Sequence, residues 1–568
     1  LRYLALVTDY DGVIADDGHP SPAAIDALRR LRSSGRRAVL LTGRRLEELI
    51  SQFPHLDLFE CVVAENGAVF FDPVTRVEKS LASPPPPEFI ARLKQLGVEP
   101  LEVGRVIVAT WLPHHTAVMQ AIQEMGLELQ VIFNRSAVMV LPAGINKSTG
   151  MDFALRRLGL SRHEVVGVGD SENDHSFLER SECSATVANA VPSIREAVNV
   201  VTRKSNGEGL AELIDEIVAD DLCRMQACLP KNLIAIGRRD DGSEVTVPPY
   251  GLNILVAGPS SSGKSTVAAG IVERLMAHEY QLCIVDPEGD YGSLPDVITI
   301  GNPNHAVTVP EVLGLLEDPR LTLNVNLLGI PLADRPEFFG QLFPNLQAIR
   351  TRTGRPHWIV LDEAHHMLPA DWAHLGRALP QSLGETVLVT IHPDSLAPML
   401  LRLVDVIIAV GPTPRKTIER FAVAIGQTLE WPEGLAGEQG RGVVWFPRQS
   451  APPFAIEIMP GSADRIRHHR KYAEGNMRHR SFFCGPGNRQ NIRAHNLAMF
   501  SQIAEGIDEE TWMYHLRRGD YSRWLRGSVK DPYLADQAEQ IERRLDLHPS
   551  ESRRLIRNLI EARYTLPE

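Results

Sequence analysis

Leu4-Ala-Leu-Val-Thr8 runs straight into Asp9-Tyr-Asp11-Gly12-Val13. A short apolar and β-branched run closed by a turn-forming glycine reads as a buried strand. Ligands of open α/β sheets bind beyond the carboxyl ends of the strands, and this strand leaves Asp9 and Asp11 there. Paired carboxylates suit phosphoryl transfer, with Asp9 attacking phosphorus and Asp11 handling the proton of the leaving group. Taken alone, the same letters describe a polar strand-end turn equally well.

The neighbouring sequence continues the pattern. Ser21–Ser34 has helical periodicity, while Arg37–Thr42 and Cys61–Glu65 read as strands, giving the rhythm of a parallel sheet with covering helices. Ser83-Pro-Pro-Pro-Pro-Glu-Phe89 interrupts it. A helix over Phe89–Leu96, a strand over Val106–Thr110, a helix over His115–Met125 and strands up to Pro142 then read as an inserted cap. The parallel rhythm resumes at Asn146 and lasts to about Ala219. Three further pieces fall in order along this stretch. Leu40-Leu-Thr42-Gly43-Arg44 offers a hydroxyl and backbone amides to a phosphate. Lys147 can neutralise phosphate charge. Gly167-Val-Gly-Asp170-Ser-Glu-Asn173-Asp174 ends a strand in hard oxygen donors of the kind Mg²⁺ takes. Singly these are an N-cap, an exposed lysine and a polar turn; together and in this order they describe one site.

On these motifs residues 3–215 resemble a haloacid dehalogenase (HAD) superfamily phosphatase of the large-capped Cof type, a group that includes sugar-phosphate and phosphoglycolate phosphatases. Glu65-Asn66-Gly67 and Val187-Ala-Asn189-Ala190 belong to the same resemblance. It implies Asp9 as nucleophile, Asp11 as general acid/base, and Thr42 and Lys147 as phosphate ligands. It also implies Mg²⁺ held by Asp9, Asp170 and the backbone carbonyl of Asp11, with Asn173 and Asp174 alongside. Val13 stands where threonine is commoner. The implied substrate is a small phosphorylated metabolite chosen by the cap, such as a sugar phosphate or phosphoglycolate. Asn134 and Arg135, just before the strand Ala137–Leu141, either face that site or lie on the surface.

A second phosphate motif lies in mid-chain. The apolar run Asn253-Ile-Leu-Val-Ala257 enters Gly258-Pro-Ser-Ser-Ser262-Gly263-Lys264-Ser265-Thr266, a complete G-x-x-x-x-G-K-[ST] followed by an amphipathic helix. Backbone amides from Gly258 through Ser262 and Gly263 to Thr266 would cradle the phosphates of ATP. Lys264 would reach the terminal ones, and Ser265 would ligate Mg²⁺. Trp358-Ile-Val-Leu-Asp362-Glu363 is an apolar strand ending in two acids. Asp362 suits Mg²⁺ through water and Glu363 suits polarising the attacking water, although a buried strand with a capping aspartate looks the same. Ile284-Val-Asp286-Pro287-Glu-Gly289-Asp290-Tyr291 and Val387-Leu-Val-Thr390-Ile-His392-Pro393 follow further strands. Residues 233–458 therefore resemble the HerA/FtsK group of DNA-translocating ATPases, which implies a homo-hexamer with DNA as partner. Thr390 or His392 stands where glutamine is common, which leaves coupling to DNA open. Arg352, Arg355, Arg402 and Arg415 are candidates for a trans-acting arginine or plain surface charges.

The expected fold class is multidomain α/β. A HAD Rossmann-like parallel sheet spans residues 1–219 with an α+β cap over about 78–142. A linker and small β element occupy 220–250, a RecA-like P-loop α/β unit occupies 251–460, and a basic, mainly α domain fills 461–568. With 568 residues, 43% of them hydrophobic, about three or four domains are the expectation. Net charge is −12, but residues 461–568 carry 19 Lys/Arg against 15 Asp/Glu, so the tail is positive and the body more acidic. Arg465–Tyr472 and Arg478–Phe483 interleave bases with aromatics, which suits nucleic acid or a solvated helix face. The cysteines Cys61, Cys183, Cys223, Cys228, Cys283 and Cys484 form no C-x-x-C pair, so neither a zinc site nor a disulfide framework is read. No apolar run reaches the roughly 20 residues of a membrane span, and no signal-like leader precedes Tyr3, so a cytoplasmic protein without membrane contact is expected. Three whole-chain readings remain: a metabolite phosphatase with an ATPase motor, a DNA translocase whose phosphatase acts on nucleotides or nucleic-acid ends in repair or defence, and an ATP sensor that gates the phosphatase.

Overall fold

The computed structural model describes residues 2–224, 233–259, 262–292, 294–370, 382–435, 440–449, 451–461, 481–485, 492–529, 531–544 and 546–564. Its first sheet has eight strands in the order Val200–Val201, Cys183–Thr186, Val165–Val168, Ala5–Thr8, Arg37–Leu41, Cys61–Ala64, Val69–Phe71 and Glu78–Ser80. Pairing is parallel from Val200 through Cys61 and antiparallel in the last two steps. Ala5–Thr8 therefore lies centrally, between the strands that deliver Thr42 and Asp170. Strand residues alternate between two cores: Leu6, Leu40, Val62 and Val166 face one layer, and Val7, Val39, Val63 and Val165 face the other. Burial on both faces is why these strands read as unbroken apolar runs.

The cap is a four-stranded antiparallel sheet, ordered Leu129–Asn134, Ala137–Pro142, Val108–Trp111, Glu102–Val103. Helices Pro87–Gln95 and His115–Met125 cover one face, where Phe89, Leu93, Val118, Val138 and Val140 pack together. The intervening residues Met139 and Leu141, with Val106 and Ile107, join the core of the main module instead. Period-two alternation thus gives the cap one core of its own and one face shut over the eight-stranded module. The expected start of the cap near residue 78 is corrected: Glu78–Ser80 pairs with Val69–Phe71 and extends the main sheet.

The central module has eleven strands: Glu244–Val247, Ile234–Arg238, Phe454–Glu457, Arg441–Trp445, Val406–Val410, Asn253–Ala257, Thr386–Thr390, Trp358–Leu361, Leu282–Asp286, Thr322–Asn326 and Val297–Ile300. From Val406–Val410 onward all pairs are parallel. Leu255, Cys283 and Val285 pack on one face, and Ile254, Val256 and Ile284 on the other. The small β element expected ahead of the glycine-rich loop is no separate unit. Its hairpin joins this sheet where Arg238 pairs with Glu457, and Ile234, Ile236, Val245 and Val247 bury in the same core.

The two sheets meet through buried polar groups. Glu164, just before the strand Val165–Val168, lies 2.7 Å from His357 Nε2, just before the strand Trp358–Leu361. His357 Nδ1 accepts from the amide of Gln281 at 2.7 Å, so Nε2 carries the proton that Glu164 receives. Arg355 donates to the carbonyl of Gly159 at 2.6 Å and to Gln281. Fully buried, it is a structural residue here and no exposed trans-acting finger; Arg352, Arg402 and Arg415 are exposed.

In the C-terminal region, helices Leu497–Gly506, Glu509–Arg518, Pro532–Glu542 and Pro549–Tyr564 surround Phe482, Phe500, Trp512, Leu516, Tyr521 and Trp524. Trp512 stacks on Tyr521 at 4.5 Å and donates to Ser552 Oγ at 2.9 Å, the buried indole finding its partner. The basic stretch 465–480 lies outside the described residues. Among the described residues no helix is long and apolar enough to cross a membrane.

Candidate functional site

Beyond the central strand, Asp9, Asp170 and Asp174 converge, with ligand-competent atoms within 4.8 Å of one another. All three are buried, at 3%, 1% and 0% exposure. Lys147, the first residue of helix Lys147–Leu158, reaches between them to Asp9 Oδ1 at 2.8 Å and Asp174 Oδ1 at 2.6 Å. Asn146 caps that helix by accepting from Thr149 N, which fixes the approach of Lys147. Burial, reinforced by the charge of Asp174, holds the Asp9 carboxyl well above its usual range. The same two causes push Asp170 up to about 6. Burial alone would lower the Lys147 pKa, yet Asp174 and Asp9 hold it above the ordinary lysine value. Three carboxylates around one ammonium leave a surplus of buried negative charge, and this oxygen donor set fits Mg²⁺. Asn173 Oδ1 is buried without a hydrogen-bond partner among the described residues, a further oxygen suited to such a site.

The structure divides the acids by role. Asp174 Oδ2 accepts from the amides of Asp170 (2.8 Å) and Ser171 (3.0 Å), while its other oxygen holds Lys147. Both oxygens are thus engaged in shaping the loop and the lysine. Gly12 has φ +74°, and a Cβ there would overlap the Asp170 carboxylate, so glycine lets the two catalytic loops touch. Thr42 is fully buried, its hydroxyl accepting from Arg44 N at 3.1 Å and its carbonyl from Asn66 N at 2.9 Å.

Three residues quoted with the motifs acquire roles that letters alone did not give them. Arg44 grips Asp11 with two bonds, Nε to Oδ2 at 2.8 Å and Nη2 to Oδ1 at 2.7 Å, while also contacting Glu48 and Gln52. Glu65, fully buried, accepts from three successive cap amides, Arg105 (2.9 Å), Val106 (2.8 Å) and Ile107 (2.9 Å). Asn66 accepts from Asn173 Nδ2 at 3.0 Å, tying the turn to the acidic loop. The Thr-Gly-Arg and Glu-Asn-Gly spellings were the available signals; their partners lie tens of residues away in sequence. Arg135 faces the site, with Nη2 2.6 Å from Asp170 Oδ2.

In the central module, Gly263 at φ +98° opens helix Lys264–Ala277, so the helix N-terminus points into the glycine-rich loop. Lys264, 5% exposed, folds back to the carbonyl of Pro259 at 3.3 Å. Gly258, Ser262, Ser265 and Thr266 flank it; Ser260 and Ser261 lie outside the described residues. The strand carrying Asp362 and Glu363 is separated from the loop strand by Thr386–Thr390, so Thr390 ends between the two motifs. Asp362 is buried at 2%, and Glu363 takes a left-handed φ of +41° with its carboxylate 3.5 Å from His365 Nδ1. Thr390 Oγ1 also approaches His365, at 3.4 Å. Burial first, then the nearby Lys264 charge, lowers the His365 pKa, which adds a neutral imidazole to this cleft. His392 is exposed. Asp286 accepts the amides of Glu288, Gly289, Asp290 and Tyr291, which rolls the loop after its strand around one buried carboxylate.

A family model described as haloacid dehalogenase-like hydrolase matches residues 6–95 and 116–214. A phosphoglycolate phosphatase of Methanothermobacter thermautotrophicus is 29% identical over 219 residues, covering 37% of this chain and 96% of that protein. Phosphoglycolate phosphatases of Pyrobaculum aerophilum and Pyrobaculum islandicum are each 30% identical, covering 38% of this chain and 97% of each relative. A whole relative therefore fits within little more than a third of the chain, the part whose buried acids and lysine are described above. Through that part the chain belongs to the haloacid dehalogenase-like hydrolases, and it carries a phosphatase of that type.

Proposed function

We propose that the N-terminal module hydrolyses the phosphomonoester of a small metabolite, with phosphoglycolate and sugar phosphates as the first compounds to assay. The observation that carries this reading is the Lys147 bridge between Asp9 and Asp174 beneath a cap shut by Met139, Leu141 and Ile107. Asp9 attacks phosphorus, its Oδ–P bond forming as the ester P–O bond breaks. Asp11, half-exposed and paired with Arg44 in this structure, delivers the proton to the leaving oxygen on leaving that pair. It then takes a proton from the water that attacks the aspartyl-phosphate, releasing inorganic phosphate and restoring Asp9. Lys147 and Thr42 hold the phosphate oxygens, and the preorganised ammonium stabilises charge developing there. Asp9, Asp170 and the carbonyl of Asp11 would hold Mg²⁺ beside Asn173 and Asp174; the ion supplies charge neutralisation at the phosphate. The test is hydrolysis of p-nitrophenyl phosphate with Mg²⁺, which Asp9→Asn should abolish; robust activity in that variant defeats the assignment.

The central module supports a second activity on a separate observation, the loop Gly258–Thr266 and the acids Asp362 and Glu363 lying one strand apart. Its reading is ATP hydrolysis, with Lys264 on the terminal phosphates, Ser265 and Asp362 toward Mg²⁺, and Glu363 orienting water. Lys264→Ala should remove that turnover. DNA as partner and a homo-hexamer belong to this reading: duplex DNA should raise ATP turnover at low salt and lose its effect as salt rises. Sedimentation should report six copies. Absence of DNA stimulation at low salt would leave an ATPase that serves the phosphatase.

A further inference from the structure

The cap touches the catalytic module at two hairpin tips that differ in kind. At residues 104–107 the cap gives three amides to the Glu65 carboxylate, and a Cβ on Gly104 would stand 2.7 Å from that carboxylate. Those bonds are charge-assisted and buried, so this tip is a fixed attachment. Because the cap is one packed sheet, pinning this corner sets where its other tip can stand.

The other tip, between Asn134 and Ala137, presents Arg135. Its backbone is left-handed, φ +51°, and its amide donates to Glu172 Oε2 at 3.2 Å. A non-glycine residue keeps that backbone only where contacts hold it. The guanidinium reaches Asp170 through Nη2 and is otherwise 57% exposed, with the rest of its fork unpartnered among the described residues. Other cations at the site are already committed. Lys147, buried between Asp9 and Asp174, serves the phosphate in the phosphatase reading, and the Arg44 fork is filled by Asp11.

We propose that Arg135 is the residue that selects substrates bearing a second anionic group, a carboxylate close to the phosphoester. The proposal rests on the phosphatase reading of Asp9 and adds the class of compound that this site prefers. With phosphate held by Lys147 and Thr42, the leaving half of a small substrate points toward the cap tip. An arginine fork offers paired N–H donors that match a carboxylate. A neutral alcohol or aromatic leaving group gains nothing from it.

The experiment compares 2-phosphoglycolate, which carries the carboxylate, with p-nitrophenyl phosphate, which does not, at saturating Mg²⁺. Wild type, Arg135→Ala and Arg135→Lys are assayed as full-length protein. For Arg135→Ala, KM for phosphoglycolate should rise roughly 10- to 100-fold, as expected for a lost charge-assisted bond. The effect on p-nitrophenyl phosphate should be at least about tenfold smaller. Arg135→Lys should recover part of the loss, since it keeps charge without the fork. Equal losses on both substrates would assign Arg135 to the metal loop through Asp170 and overturn the proposal. A wild type without preference for phosphoglycolate overturns it too. A wild type inert toward both compounds defeats the phosphatase reading itself, an outcome distinct from either.

Discussion

The N-terminal site gathers buried side-chain charge, whereas the candidate site of the central module is shaped mainly by backbone amides. In the first, Lys147 is fully buried against two carboxylates, and a cap lies over the centre. In the second, a glycine at φ +98° turns a helix N-terminus into the loop, and elsewhere in the module four amides after Asp286 donate to that buried carboxylate. Buried like charges are costly until a cation arrives, so the first site is strained toward its metal. Amides carry only partial charge, so they add less like-charge repulsion than three clustered acids, even with Lys264 and Asp362 buried nearby.

The largest expected effects come from reciprocal knockouts. Asp9→Asn should lower phosphatase turnover by on the order of 10³-fold or more while sparing ATP hydrolysis. Lys264→Ala should do the reverse, and parallel assays on one preparation check both. If Lys264→Ala also slows the phosphatase, the two sites are coupled and the comparison of independent solutions breaks.

Next in size is the buried join. His357→Ala removes the imidazole donor to Glu164, leaving a carboxylate at 2% exposure with one partner fewer beside the Ser161 amide. The expected loss is about 3 kcal/mol of unfolding free energy, read from denaturant midpoints. A midpoint unchanged from wild type would mean that the modules are merely tethered.

The smallest expected effect is a pH dependence confined to the first site. The folded Asp170 carboxyl is raised to about 6, by burial first and then by Asp174. A raised carboxyl favours the folded state fully below its unfolded value near 4, and that contribution is lost as pH rises through 6. Above pH 6 the metal-free protein bears ionised acids together, and Mg²⁺ relieves them. The rise in melting temperature on adding Mg²⁺ should therefore grow between pH 5 and 7.5, and Asp170→Asn should flatten it. A pH-independent rise would remove charge surplus as the distinguishing property of this site.

The local placement of these motifs, at strand ends and at a helix start, was legible because each depends on a few neighbouring residues. Asp9 and Asp11 sit at one strand end, Lys264 and Ser265 at one helix start, and the apolar runs before them announce their strands. What escaped was pairing across distance. Nothing in Thr-Gly-Arg says that Arg44 closes on Asp11, and nothing in Glu-Asn-Gly says that Glu65 collects three cap amides. Arg135 read equally as site or surface until the hairpin turned it toward Asp170. The hairpin Ile234–Val247 looked separate because its partner strand, Phe454–Glu457, comes over two hundred residues later.

The sequence by itself determined which residue types stand at these places: paired carboxylates at the end of a buried strand, a lysine and a hydroxyl further along, and a glycine-rich loop ahead of a helix. Apolar periodicity and short motifs suffice for that, since each depends on neighbours a few residues away. Only the tertiary structure decided which charges share a pocket, where the cap is pinned, and that Glu164 and His357 join a strand of each sheet through one buried bond. Those depend on contacts between distant segments, where burial rather than spacing sets the strength of every charge.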